Sequence, residues 1–155
     1  MTSASSLVEA VSGSDSVFLV TTPTYTEKST LELEQGKNVA NAANQAGIKH
    51  LVFSSLLNVT QITAGRLKNV PHFDHKAEIE KYIRDLGLPA TFVLPGYFMS
   101  NYVQMGMVRK GEDGVYSLAY PIAEDAKFPL IDIDADLGEY FVTSFISGIK
   151  GLTSD

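Results

Sequence analysis

Residues 34–55 read EQGKNVANAANQAGIKHLVFSS, and the change of pattern within them decides the fold. Up to Ala46 the composition is Leu, Glu, Gln, Lys, Asn and Ala, with Leu31, Val39, Ala42, Ala43 and Ala46 at helical spacing, so the pattern predicts a helix over 29–46. Gly47 is the stop signal, because glycine accepts the left-handed conformation in which helices commonly end. Gly36, midway along, is expected to mark close packing on a sheet. HLVFSS (50–55) then follows as a short apolar run rich in β-branched and aromatic types, too short for a helix of its own.

The same alternation extends outward in both directions. SVFLVT (16–21) and ATFVLP (90–95) are two more such runs, and 73–86 is a second helical stretch closed by Gly87. A short helix is expected over 3–12, with Ser3 or Ser5 as N-cap and Gly13 as its end. Strand, helix, strand, helix, strand implies parallel pairing through right-handed crossovers, and strands of that kind are expected to be buried on both faces. Beyond Pro95 the regularity loosens. YFMSNYVQM (97–105) is expected to be helical, GEDGVYSLAYPI (111–122) to form a small hairpin or lid turning at Asp113 and Gly114, and FPLIDID (128–134) to be a short strand. Asp134 or Asp136 would cap a last helix carrying Leu137, Tyr140, Phe141, Phe145 and Ile146 on its apolar face, with 148–155 as a frayed tail. The expected fold class is α/β: a partial Rossmann-like parallel sheet with helices on both faces and a small C-terminal lobe. We expect a single domain over 1–155, with 1–95 as the α/β half and 96–150 as the lobe and last helix.

The chain has 155 residues, 45% hydrophobic and 19% charged, the balance of one globular domain. A net charge of −6 without a Lys/Arg cluster argues against binding nucleic acid through its phosphates. The absence of cysteine removes disulfides, thiolate metal sites and cysteine nucleophiles. No signal-peptide pattern and no apolar run approaching the ~18 residues of a membrane span occur, so the expected location is cytoplasmic and no membrane partner is expected.

DSVFLVTTP (15–23), residues 34–55, VPHFDHKAEIEKYI (70–83), GLPATFVLPGYFMSNY (87–102) and IDIDADLGEYF (131–141) follow one another as in NmrA-like proteins, which are atypical relatives of the short-chain dehydrogenases. The chain resembles that family over residues 5–148. The resemblance implies a Rossmann domain with a smaller substrate-side lobe, and NADP or NAD as cofactor. Members resembling it begin with a strand, a GxxGxxG loop and a helix, whereas no strand followed by GxxGxxG or GxGxxG occurs in this sequence. We therefore expect a truncated form in which no dinucleotide is bound tightly, since a helix N-terminus of that kind holds the pyrophosphate.

By resemblance, the dehydrogenase serine falls on Ser54 or Ser55, the tyrosine position is occupied by His72, and the lysine is Lys76. Four residues apart at a helix start, His72 and Lys76 share a face, and the ammonium would disfavour a protonated imidazole, leaving His72 able to relay a proton. Thr21, Thr22 and Pro23 end a strand where open α/β sheets present their ligand crevice, and the resemblance places them on the adenosine or ribose side of a dinucleotide. Pro95, Gly96, Tyr97 and Phe98 end another strand, beside the nicotinamide by resemblance, with Met99, Asn101 and Tyr102 as further lining of a substrate pocket. His72, Asp74, His75 and His50 do not converge at metal-ligand spacing, so no metal is expected.

Two functions follow from these residues. One is a binding or regulatory protein without independent dinucleotide binding. The other is a small-molecule enzyme using His72 and Lys76, either a cofactor-free isomerase, cyclase or dehydratase or a residual NAD(P)-dependent oxidoreductase. In either case residues 16–21 have no strand on one side, and an apolar edge left bare tends to pair with another chain. A homodimer or a partner chain covering 16–21 is the expected consequence.

Overall fold

A computed structural model describes residues 1–23, 30–120, 122, 123 and 125–152. The expected helix start at Ser29 and the last residues of the tail, 153–155, lie outside them. The elements run α1 (Ala4–Val11), β1 (Ser16–Leu19), α2 (Leu31–Gln45), β2 (His50–Ser54), α3 (Val59–Ile62), α4 (Pro71–Asp85), β3 (Ala90–Val93), β4 (Tyr97–Phe98), α5 (Asn101–Gln104), β5 (Arg109–Lys110), β6 (Tyr116–Ser117), β7 (Leu130–Ile131) and α6 (Gly138–Leu152), with a π-helical turn over Ile133–Leu137 before the last. Among the described residues no helix is long and apolar enough to cross a membrane.

Two compact units divide the chain. The first holds Met1–Leu94 and Phe141–Asp155, the second Pro95–Tyr140. In the first, β1, β2 and β3 form a parallel sheet in that order, with Val17 opposite Leu51 and Val52 opposite Thr91. This is the α/β fold expected from the alternation. Side chains alternate across the sheet. Leu19, Leu51 and Phe53 face α2 and α4, where Val39, Ala40, Ala43, Ile79 and Ile83 complete a dry core. Burying each of the larger side chains contributes roughly 1.5–3 kcal/mol. On the opposite face Phe18 meets Phe141 of α6 at 4.4 Å between ring centroids, and His50 meets Phe145.

Local signals account for most boundaries. Ser3 caps α1 through the Ser6 amide, as expected. Pro71 occupies the first turn of α4, where its missing N–H is no loss, so that helix begins two residues before the predicted start. Gly47 and Gly87 take positive φ after α2 and α4.

Five expectations are corrected. Gly36 packs against a helix, not the sheet: a Cβ there would lie 2.5 Å from Ile79 Cδ1 on α4. β1 is not buried on both faces, since Phe18 is 47% exposed, whereas β2 between its two neighbours is buried almost throughout. The first two residues of the expected helix 97–105 pair instead with Leu130 and Ile131, leaving only α5 helical. Asp132, rather than Asp134 or Asp136, is the capping side chain, accepting from the Asp134 and Ala135 amides. The chain from 148, expected to fray, remains helical through Leu152.

The second unit contains the β4–β7 pair and an antiparallel hairpin of β5 and β6. The hairpin turns where Asp113 and Gly114 stand, with Asp113 Oδ1 accepting from the Val115 amide at 3.0 Å and Gly114 at φ +80°.

Candidate functional site

The carboxyl end of β1 gathers the most buried polar groups of the first unit. Thr21 is 3% exposed and lies just past the strand, while Thr22 beside it is exposed and Pro23 half-buried. Lys76 reaches that point from the second turn of α4 with 7% of its surface exposed. Its ammonium donates to the Thr21 carbonyl at 2.6 Å and to Thr21 Oγ1 at 2.7 Å, and pairs with Glu32 Oε1 at 2.8 Å. The Thr21 hydroxyl in turn donates to Glu32 Oε1 at 2.8 Å. An ammonium has three protons, and three acceptors surround it here.

Glu32 was not among the residues singled out from the sequence. It stands in the first turn of α2 and is fully buried. The signal was present: Glu32 falls four residues before Gly36 and seven before Val39, on the inward stripe of the helix, where a charge requires a partner. His75 approaches the same carboxylate, with Nδ1 3.9 Å from Oε2.

The other candidates in this unit lie around that cluster. Ser54 ends β2 half-buried, while Ser55 is fully buried, with its amide bonded to the Val93 carbonyl at 2.8 Å. His72 lies in the first turn of α4 with its ring 4.9 Å from that of Phe73. The sequence pairs Lys76 with His72 by helical spacing, but the ammonium is aimed at Thr21 and Glu32. Asp74 is also committed, accepting from the Thr60 amide and hydroxyl at 3.1 and 2.6 Å. Among the described residues no group of three or more His, Cys, Asp or Glu is placed to hold a metal ion.

Pro95, Gly96, Tyr97, Phe98, Met99, Asn101 and Tyr102 all belong to the second unit. Gly96 has no room for a side chain, because a Cβ would run into the Pro129 carbonyl. Met99 continues the pairing with β7 through its amide, bonded to the Ile131 carbonyl at 3.0 Å, and Asn101 opens α5. Tyr97 sits 5.7 Å from Tyr102, 6.4 Å from Tyr120 and 5.2 Å from Phe128, ring to ring. At these separations the rings are in contact with one another. The Tyr97 hydroxyl donates to Met107 Sδ at 2.8 Å. Burial, then contact with the Tyr97 hydroxyl, raises the Tyr120 phenol above its ordinary range, so it stays protonated. These aromatics form the apolar centre of the second unit. Residues 95–140 carry eight acidic and three basic side chains, so −5 of the chain's −6 falls there.

A parallel three-stranded sheet joined through helices, with its polar groups gathered at the carboxyl end of a strand, defines an α/β protein of the Rossmann-like type. The family model described as "NmrA-like family" matches residues 1–152, and the chain belongs to that family. The nitrogen metabolite repression protein nmrA of Emericella nidulans is 31% identical over 122 residues, 76% of this chain and 34% of that protein. An NmrA-like family domain-containing oxidoreductase of Aspergillus flavus, lnaB, is 41% identical over 80 residues, 50% of this chain and 24% of that protein. The crystal structure of NmrA, described as a negative transcriptional regulator, superposes with a TM-score of 0.80 at 27% identity, covering 94% of this chain and 45% of that one. Its complex with NADP superposes at 0.77 with 25% identity, covering 94% of this chain and 44% of that one. The chain thus spans less than half the length of each of these relatives, which include both regulators and oxidoreductases.

Proposed function

We propose that this chain is a binding or regulatory member of the NmrA-like family that does not grip a dinucleotide by itself and associates through the outer edge of β1. The observation that carries this reading is the commitment of Lys76. A lysine serving a nicotinamide ribose must offer it N–H donors, and all three of this ammonium's protons have acceptors inside the protein. By resemblance, His72 stands where the short-chain dehydrogenases have a tyrosine, so the phenol that serves carbonyl reduction in that family has no counterpart at that position.

Isothermal calorimetry of the chain with NAD, NADP and NADPH is the test. No saturable heat is expected at ligand concentrations up to about 100 μM, a range that reveals any Kd in the micromolar region. Stoichiometric binding with a micromolar Kd, or hydride transfer to a carbonyl or quinone acceptor, would overturn the reading.

A further inference from the structure

Glu32 occupies a position that sequence statistics reserve for apolar residues: fully buried, on the stripe of α2 that also carries Gly36, Val39, Ala40 and Ala43. An uncompensated carboxylate there would be strongly unfavourable, so the site requires a cation. Lys76 supplies it. The donor directions leave little freedom. The Thr21 hydroxyl spends its single proton on Glu32 Oε1, so only its lone pairs face Lys76, and the ammonium must donate to it. With the Thr21 carbonyl as third acceptor, the ammonium has an acceptor for each of its protons, while both donors to Glu32 fall on Oε1 and its buried Oε2 has no hydrogen-bond partner.

We propose that Glu32 is a positioning residue for Lys76, fixing the ammonium as an internal cation that ties the carboxyl end of β1 to α2 and α4 and withholding it from any ligand in the crevice. The proposal deepens the non-dehydrogenase reading above and rests on it for its functional meaning. A molecule arriving at this strand end meets Thr22 and Pro23, because the charge behind them is already engaged. Sequence spacing alone, which joins His72 to Lys76, does not reveal this arrangement.

Reactivity of the lysine separates this role from simple packing. Acetic anhydride acylates only the free amine, with loss of acetate, so an ammonium donating three hydrogen bonds must first open and lose a proton. The intact chain is labelled at pH 8 and the rate at each lysine read by peptide mass spectrometry, with exposed Lys81 as internal reference. In the wild-type chain Lys76 is expected to react on the order of a hundredfold more slowly than Lys81, as for a group reached only through local opening. In Glu32→Gln, which keeps an oxygen acceptor but removes the charge, Lys76 is expected to accelerate about tenfold because the ion pair that holds it closed is lost, while the amide of Phe53 stays protected from hydrogen exchange. Equal rates at Lys76 and Lys81 in the wild type, or an unchanged Lys76 rate in a folded Glu32→Gln protein, would overturn the proposal. If Glu32→Gln does not fold, Glu32→Asp, which keeps the charge but falls one methylene short of Lys76, is labelled instead, and an unchanged Lys76 rate in it overturns the proposal. Because labelling needs no dinucleotide, its outcome is independent of the calorimetry: tight NADP binding beside a slow Lys76 would refute the functional reading and leave the role of Glu32 standing.

Discussion

His50 begins β2 with 2% of its surface exposed, its Nε2 2.9 Å from Thr91 Oγ1 and its ring edge-on to Phe145. Gly148 lets α6 lie directly over that ring, where any side chain would overlap it. Nδ1 has no hydrogen-bond partner, so an imidazolium would leave a buried N–H unsatisfied, and burial holds the pKa below the ordinary 6.5. Above about pH 6.5 both folded and unfolded chains carry a neutral His50, and it adds no pH dependence. Below that value the unfolded chain takes up a proton that the folded one refuses, so stability falls with pH until the lowered native pKa is reached. Urea unfolding at pH 7.5 and 5.5 is expected to show a larger acid loss in the wild type than in His50→Asn, whose amide is compatible with Thr91. An equal loss in both proteins would remove His50 from the acid response. Lys76 was legible in the sequence as a family-motif position and Glu32 was not, for a physical reason. A glutamate in a Glu-, Gln- and Lys-rich helix reads as solvated, and only the stripe it falls on, together with a cation arriving from α4, shows that it is buried.

At the scale of elements, the contact of α2 with α4 is the tightest test of the packing. Gly36 admits the Ile79 side chain so closely that a methyl group would meet Ile79 Cδ1 at 2.5 Å and Cγ1 at 2.7 Å. Gly36→Ala gains about 1 kcal/mol of helix propensity but overpacks a filled site at a cost of about 1–3 kcal/mol, so a net destabilisation of up to about 2 kcal/mol is expected. Ile79→Ala alone should cost about 2–5 kcal/mol through the cavity it leaves. In that background Gly36→Ala should become stabilising, because the clash is gone and the propensity gain remains. Additivity of the two changes in a double-mutant cycle would show that the helices do not meet at this point. Most of the strands and helices of the first unit were legible because their periodicity is local: an apolar run of five or six residues, a helical stripe, a glycine stop. The departures arise where distant chain decides. Tyr97 and Phe98 take strand conformation because Leu130 and Ile131 lie beside them, more than thirty residues away. Gly36 reads as a sheet contact until the position of α4 is known.

For the molecule as a whole, the open question is what lies along β1. Among the described residues it is the terminal strand of its sheet, paired only with β2, and Phe18 and Val20 on and beside it are 47% and 56% exposed. Its outer backbone groups have no strand neighbour among the described residues, and such a row of free donors and acceptors is a template for pairing with another chain. A second copy is the occupant we favour. The same edge on two chains offers equal lengths of unpaired backbone and the same apolar side chains, so antiparallel pairing of β1 with β1 closes on a two-fold axis without requiring further complementarity. Sedimentation velocity across a hundredfold range of protein concentration should then show a monomer–dimer equilibrium. Val20→Lys places a charge beside the bare edge, at a side chain already exposed, and should shift the equilibrium toward monomer by on the order of tenfold in Kd, about 1.4 kcal/mol, with thermal stability of the monomer unchanged. Hydrogen exchange supplies the complementary readout: the amides of residues 16–21 should gain protection as the dimer forms and lose it in Val20→Lys. A chain that remains monomeric at every concentration, with rapid exchange along 16–21, would show that β1 is a tolerated edge and that association is no part of what this protein does.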